Sequence, residues 1–284
     1  MTAPPAAAAI VHIPKCAGTS LRRRLETHEG VTTGPKYHDP YLMAIKAGGL
    51  SLDDPDPFAY SIDELSAVGA TSTVVMGHVS VKAFADAGYS SIRIVVREPR
   101  SRMLSLFDHY QRLDGVPQAE GTRSDAFLSF LNSEFTKTQG NNFLYRMIAG
   151  AQIEQEEYDE LADVLRLNSA ISTLDAKLDR VGSVIVGAYW DRDVAALYSE
   201  VAAERFPELS IARTSELRRE NVGPEFSETE VLSHEALARM ADLIALDELA
   251  LDALIDRGLL QDRSADDLDR DFEVTARRHG FTLN

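Results

Sequence analysis

Residues 8–25 read AAIVHIPKCAGTSLRRRL. An apolar run stops at Pro14, a lysine and five small residues follow, and a basic segment begins at Leu21. The run Ala8–Ile13 is nearly all apolar, which suits a strand covered on both faces of a parallel sheet, and Leu21–Thr27 carries helical patterning. A strand that turns into a helix through Pro14-Lys15-Cys16-Ala17-Gly18-Thr19-Ser20 brings backbone N–H groups, two hydroxyls and one ammonium to a common point. The first four N–H groups of a helix have no internal partner, and the positive end of its dipole favours an anion by roughly 0.3–1 kcal/mol. Gly18 lets the backbone come close. The order is not that of a Walker A loop, GxxxxGK[ST], because Lys15 precedes Gly18. The same residues also fit a plain strand–turn–helix with Thr19 or Ser20 as the N-cap and Lys15 in solvent.

Outward from this junction, Thr73–Met76, Ile92–Arg97 and Val181–Ala188 read as three further buried strands. Helical patterning follows each of them, over Val81–Ala87, Arg102–Leu113 and Val194–Glu204. The alternation predicts βαβ units and a parallel sheet, an α/β fold. The stretch from Asp125 to Arg180 reads as mainly helical. Glu228–Arg257 reads as one long amphipathic helix whose Ser-Glu-Thr-Glu opening suits a helix start. Residues 46–63 and 114–124 read as loops, and the acidic stretch 262–271 as a solvated linker. The whole chain, 1–284, is expected to form one domain, with a core over 8–113 and 181–225, a helical insertion over 125–180 and a C-terminal helical segment over 228–284.

With 284 residues and 44% apolar content the chain can bury a sizeable core. Its 29 basic and 45 acidic residues give a net charge of −16. That argues against adhesion to nucleic acid or to an anionic membrane, so an anionic ligand has to be held locally. A single cysteine, Cys16, excludes a disulfide framework and a cysteine-rich metal site, and fits a reducing compartment. MTAPPAAAA carries no basic residue before its short apolar stretch, and no run approaches 18 apolar residues. These features predict a cytoplasmic protein without membrane insertion and without a nucleic-acid partner.

The string HIPKCAGTSL, residues 12–21, resembles the 5′-phosphosulfate loop of the sulfotransferases. The branch is the one that includes the heparan-sulfate uronyl 2-O-sulfotransferases and many bacterial relatives. Residues 92–110, IRIVVREPRSRMLSLFDHY, are similar to that family's second signature, a strand ending in Arg-(Asp/Glu)-Pro with a serine eight residues after the arginine; here the pair is Arg97 and Ser105. A third string, Val75-Met76-Gly77-His78-Val79-Ser80, looks like the family's Gly-His segment, whose histidine is assigned as general base. Asn141–Met147 and Arg219-Glu220-Asn221-Val222 resemble later family segments, with Arg146 and Asn221 as substrate candidates. The resemblance covers residues 8–113 and the strand near Val181–Tyr189.

The resemblance implies a three-layer α/β sandwich with a central parallel sheet and a P-loop-like phosphosulfate loop, plus helical additions. It also implies in-line transfer of a sulfuryl group from 3′-phosphoadenosine 5′-phosphosulfate (PAPS) to an acceptor hydroxyl, on a carbohydrate or a small natural product, with 3′-phosphoadenosine 5′-phosphate (PAP) as the product. Lys15 would stabilise the leaving phosphate, with Cys16, Ala17, Gly18, Thr19 and Ser20 cradling the same group. His78 would take the acceptor proton, a role worth about 10²–10⁴-fold in rate, and Arg97 with Ser105 would hold the 3′-phosphate. No metal is required, since lysine and helix terminus supply the positive charge. His78 is expected to titrate near 6.5 unless burial moves it. His12 reads as a buried structural residue and His109 as facing along the helix of Ser105. Where the family usually has threonine this chain has Cys16, a thiol that is either inert or activated by Lys15 and the helix terminus. Two other readings stand beside this one: a phosphoryl transferase or nucleotide kinase with a degenerate P-loop, which needs a magnesium-holding aspartate at a strand end, and a non-catalytic nucleotide-binding protein of the same fold.

Overall fold

The computed structural model describes residues 7–27, 62–112, 121–149, 164–206, 226 and 229–283. Four strands, β1 (Ala8–His12), β2 (Val74–Gly77), β3 (Ile92–Val96) and β4 (Ile185–Trp190), form one parallel sheet in the order β2-β1-β3-β4. Ala8 pairs with Val74 on one side of β1, Ala9 with Ile92 on the other. As the apolar run predicts, β1 is central, and Ala8–Val11 are fully buried.

Helices link the strands. After β1 comes α1 (Gly18–Glu26), and α2 (Ile62–Thr71) leads into β2. Next, α3 (Val81–Asp86) joins β2 to β3, and α4 (Pro99–Gln111) follows β3. The mainly helical middle of the chain holds α5 (Arg123–Leu131), α6 (Glu134–Gln139), α7 (Phe143–Ala149) and α8 (Val164–Val181). A 3₁₀ turn, Asp191–Asp193, follows β4 and runs into α9 (Val194–Arg205). Then α10 (His234–Asp256) and α11 (Ala265–Arg278) complete the helices among the described residues. One apolar core surrounds the sheet, and a second, around Phe107, Phe127, Phe130 and Phe281, joins α4, α5, α10 and α11.

Several sequence expectations need correction. The fourth strand does not start at Val181, which instead closes α8. There Leu174, Leu178 and Val181 form a buried stripe at spacings of four and three, so helical periodicity outweighs the β-branched residues that follow. The helix expected from Glu228 begins at His234. Ser233 Oγ accepts from the Ala236 amide as its N-cap, while Glu230–Val231 forms a short strand, β5, parallel to Phe281–Thr282, β6. The acidic 262–271 stretch is not a linker, for it carries the start of α11. Ser264 caps that helix, and Asp266 and Asp267 lie in its first turn, where the dipole favours acids. Within the loop expected over 46–63, Ile62 and Asp63 already belong to α2. Among the described residues no helix is long and apolar enough to cross a membrane.

Candidate functional site

Because all four strands run the same way, the segments that leave their carboxyl ends share one edge of the sheet, about 4.8 Å apart from strand to strand. In spatial order that edge presents His78 after β2, the Lys15 loop after β1, Arg97 after β3 and Asp191 after β4. The chain leaves β1 towards β2 and later leaves β3 towards β4, in opposite directions. The gap between β1 and β3 is therefore the switch point at which open α/β sheets gather ligands. A shallow crevice lies there, lined by Ile13, Val96, Arg97, Pro99, Arg102, Leu144 and Asp247.

The β1–α1 loop owes its shape to two left-handed residues that are not glycine, Lys15 (φ 70°) and Ala17 (φ 54°). Non-glycine residues adopt this region at a cost and mostly where function demands it. Between them the Cys16 amide donates to the Ile13 carbonyl at 3.2 Å, which closes a tight turn at the end of β1. The N-cap of α1 is Ala17, not Thr19 or Ser20, and it has no side chain to cap the first turn. Ser20 and Leu21 donate to the Ala17 carbonyl at 3.1 and 3.2 Å, while Thr19 is exposed and Ser20 buried. Nor is Lys15 in solvent: it is half-buried, and burial together with the nearby Arg112 and Arg97 lowers its pKa to about 8, against the opposing pull of Asp108 and Cys16. A local positive cluster thus exists in a chain of net charge −16.

Gly18 has a second reason to be glycine. A Cβ there would lie 2.0 Å from His12 Nε2. His12, expected as a buried structural residue, is the half-buried last residue of β1, and its ring stacks on that of His78 with centroids 4.6 Å apart and 25° between the planes. His78 Nδ1 lies 2.5 Å from the His12 carbonyl oxygen. A carbonyl only accepts, so Nδ1 carries the proton and Nε2 is the basic nitrogen, the tautomer a general base needs. The short β2–α3 junction holds His78 in place: Val79 is buried, and Ser80 Oγ caps α3 by accepting from the Ala83 amide at 3.1 Å. Burial lowers the pKa of His78 to about 4, with Arg22 adding to the effect and the His12 carbonyl opposing it. The expected value near 6.5 is thereby corrected, and the imidazole is neutral at pH 7.

Arg97 donates from Nε and Nη2 to Asp191 Oδ2 at 2.7 and 2.5 Å. This ion pair ties the ends of β3 and β4 together, so a phosphate at Arg97 has to share or displace a carboxylate. The next two residues set the helix: Glu98 is buried and accepts from the amides of Arg100 and Ser101 at 3.1 and 2.6 Å, and Pro99 occupies N1. Ser105 is half-buried two turns along α4. The spacing 105, 109, 112 puts Ser105, His109 and Arg112 on one face of that helix. His109 does more than face along the helix. Burial, Lys15 and Arg112 hold its pKa near 4, which places it in the Lys15 cluster.

Cys16 is fully buried at the loop, and burial pushes its thiol up to about 12, so it is inert rather than activated. Arg146 sits on α7 with its guanidinium 5.7 Å from the Phe143 ring centroid. The neighbouring Asn142 is structural: it is buried with φ 40°, and its Oδ1 accepts from the Leu246 and Asp247 amides. Asn221, together with His28 and His38, lies outside the described residues. Sequence reasoning misses His12, Arg112 and Asp191 as parts of the site. Of these only Arg112 carries a signal, its place two helical turns after Ser105. No family model matches the chain, and no match is found among curated proteins or solved structures.

Proposed function

We propose that this protein is a PAPS-dependent sulfotransferase that moves the sulfuryl group to an acceptor hydroxyl by in-line transfer. The observation that carries the reading is the convergence, at the switch point of a parallel sheet, of a left-handed lysine loop, a histidine in the base-competent tautomer and an arginine. In this reading the loop after β1 is a P-loop-like phosphosulfate loop within a three-layer sandwich. The residues fit such a donor: the amides of the first turn of α1 and the Lys15 ammonium suit the 5′-phosphosulfate, and Arg97 with Ser105 suits the 3′-phosphate.

Sulfuryl transfer, like phosphoryl transfer, asks the protein mainly for positioning and charge neutralisation. His78 Nε2 takes the acceptor proton as the acceptor oxygen bonds to sulfur. The bond between sulfur and the bridging oxygen breaks, and Lys15 neutralises the charge that builds on the departing phosphate. A cation that is half-buried and partly desolvated acts more strongly there than one in water.

One observation favours a second reading, a phosphoryl transferase: Asp191 stands at the end of β4, where a magnesium-holding carboxylate would be needed. Its engagement by Arg97 weighs against that role. Isothermal titration with PAP and turnover of labelled PAPS against a panel of acceptors test the proposal, with ATP and Mg²⁺ as the rival donor. Lys15→Ala should keep its fold and lose turnover by orders of magnitude. Turnover of ATP but not PAPS, or near-normal PAPS turnover in folded Lys15→Ala, would refute it.

A further inference from the structure

We infer that His12 is a positioning residue for His78, and that it joins the donor loop to the base as one mechanical unit. The inference rests on the sulfuryl-transfer reading only for its catalytic consequence. The geometry stands without it.

His12 touches both halves of the site. Its Nε2 lies so near Gly18 that any side chain at that position would collide with the ring. Its ring also stacks on His78, and its carbonyl takes the His78 Nδ1 proton. The His78 imidazole therefore has two constraints from a single residue, one on the plane of the ring and one on its tautomer. The stack fixes the plane, since an offset parallel arrangement is lost when the ring rotates. The hydrogen bond selects Nδ1–H, leaving Nε2 basic. Shifts of α1 relative to β1 meet the His12 ring through Gly18, and the ring transmits them to His78.

The charged and titratable groups facing this pair come from the neighbouring elements. Arg22 on α1 donates to the Met76 carbonyl at the end of β2, and Lys15 approaches from the loop. Burial, His78, Arg22 and Lys15, in that order, hold His12 well below the ordinary histidine range, so the stacked pair is neutral at pH 7. A neutral His12 leaves no repulsion to unstack the rings. Its ring serves as a flat surface rather than as a proton carrier, so a phenyl ring should replace it.

Imidazole nitrogen NMR on the ligand-free full chain, followed by single-turnover kinetics with PAPS, tests the inference. In the wild-type protein His78 should show the Nδ1–H tautomer. His12→Phe keeps a flat ring and the carbonyl, and should keep that tautomer and most of the rate. His12→Ala keeps only the carbonyl. It should keep the Nδ1–H tautomer but lose the hold on the ring plane, giving a His78 titration displaced upward from its wild-type midpoint and a single-turnover rate lower by about tenfold or more, with PAP affinity within about twofold. An unchanged His78 titration in folded His12→Ala would overturn the inference, whatever the turnover. A rate loss in His12→Phe equal to that in His12→Ala, with His78 unperturbed, would also overturn it, by assigning His12 proton chemistry of its own. If His12→Ala does not fold, His12→Gln takes its place in both comparisons, a perturbed His78 titration supporting positioning and an unperturbed one refuting it. A changed His78 in a protein that transfers nothing from PAPS supports positioning and removes the sulfuryl-transfer reading instead.

Discussion

Donor binding should weaken as the pH rises from 7 to 9, through Lys15 alone. With a ligand-free pKa of about 8, Lys15 is about 90% charged at pH 7 and about 10% charged at pH 9. A phosphate against the ammonium restores its ordinary affinity for the proton, so the bound lysine stays charged across the range. Linkage then gives a Kd for PAP that rises about tenfold between pH 7 and 9, or about 1.4 kcal/mol. The other described groups near the site whose values are shifted are silent in this window. His78 and His109, with values near 4, are neutral throughout, Cys16 near 12 stays a thiol, and the ligand's phosphates are fully charged above about pH 7. The assay is calorimetric titration of PAP at three pH values and fixed ionic strength, which keeps screening constant. Lys15→Met should bind PAP weakly at pH 7 with no slope, approaching the wild type at high pH. A flat wild-type profile, or the wild-type slope persisting in Lys15→Met, would refute the reasoning that this desolvated lysine is the cation of the cradle.

Four further outcomes follow from the same geometry. The chemical step should rise with pH through about 4, because the neutral imidazole of His78 is the active form, and stay level near pH 6 to 7; His78→Asn should lower the single-turnover rate by about 10²–10⁴-fold at unchanged PAP affinity, and loss of binding with the rate retained would make His78 a binding residue. Arg97→Ala should weaken PAP by roughly 1.5–3 kcal/mol more than adenosine monophosphate, which lacks the 3′-group; equal weakening in calorimetry counts against the 3′-phosphate assignment. Asp247→Ala strands the Arg102 charge in the core, where Asp247 Oδ2 stands 3.2 Å from its guanidinium, and should lower urea-unfolding stability by roughly 3–5 kcal/mol; a loss under about 1 kcal/mol would sink the view that this pair is shielded from water. Iodoacetamide should leave Cys16 unmodified in the native protein and label it fully in denaturant, as mass spectrometry would read out.

The sheet was largely legible because its strands are short apolar runs, each followed by a helical pattern. The ends of β1 and β3 fall within a residue of expectation, and so the positions of Lys15 and Arg97 were legible too. Val181 misled because a buried helical stripe and a β-branched run overlap there. The acidic start of α11 read as a linker because the acids that complement a helix dipole look like solvated charge when the cap at Ser264 is overlooked. Three features of the site had no local signal. A left-handed alanine at the N-cap breaks the preference for Ser, Thr, Asp or Asn, and tertiary context imposes it. The His12–His78 stack joins residues 66 apart, and the Arg97–Asp191 pair joins residues 94 apart. Both depend on strand order, which alternation alone does not give.

Strand order also sets when the site can exist during synthesis. β1 is made first, yet both its partners come later, β2 from Val74 and β3 through Val96. At about 5–20 residues per second, the roughly 80 residues between β1 and the end of β3 take some 4–16 s to emerge. Until β2 emerges AAIVHI is an unpaired apolar strand, and until β3 follows it keeps one open edge, the kind of segment that recruits other chains edge to edge. Pro14 and Lys15 bound it at once with a missing amide and a charge, two devices that discourage such pairing. The lysine proposed to hold the donor in the finished protein thus guards the nascent strand before the sheet has formed, and Lys15→Ala should raise aggregation during translation even where the purified variant is fully folded.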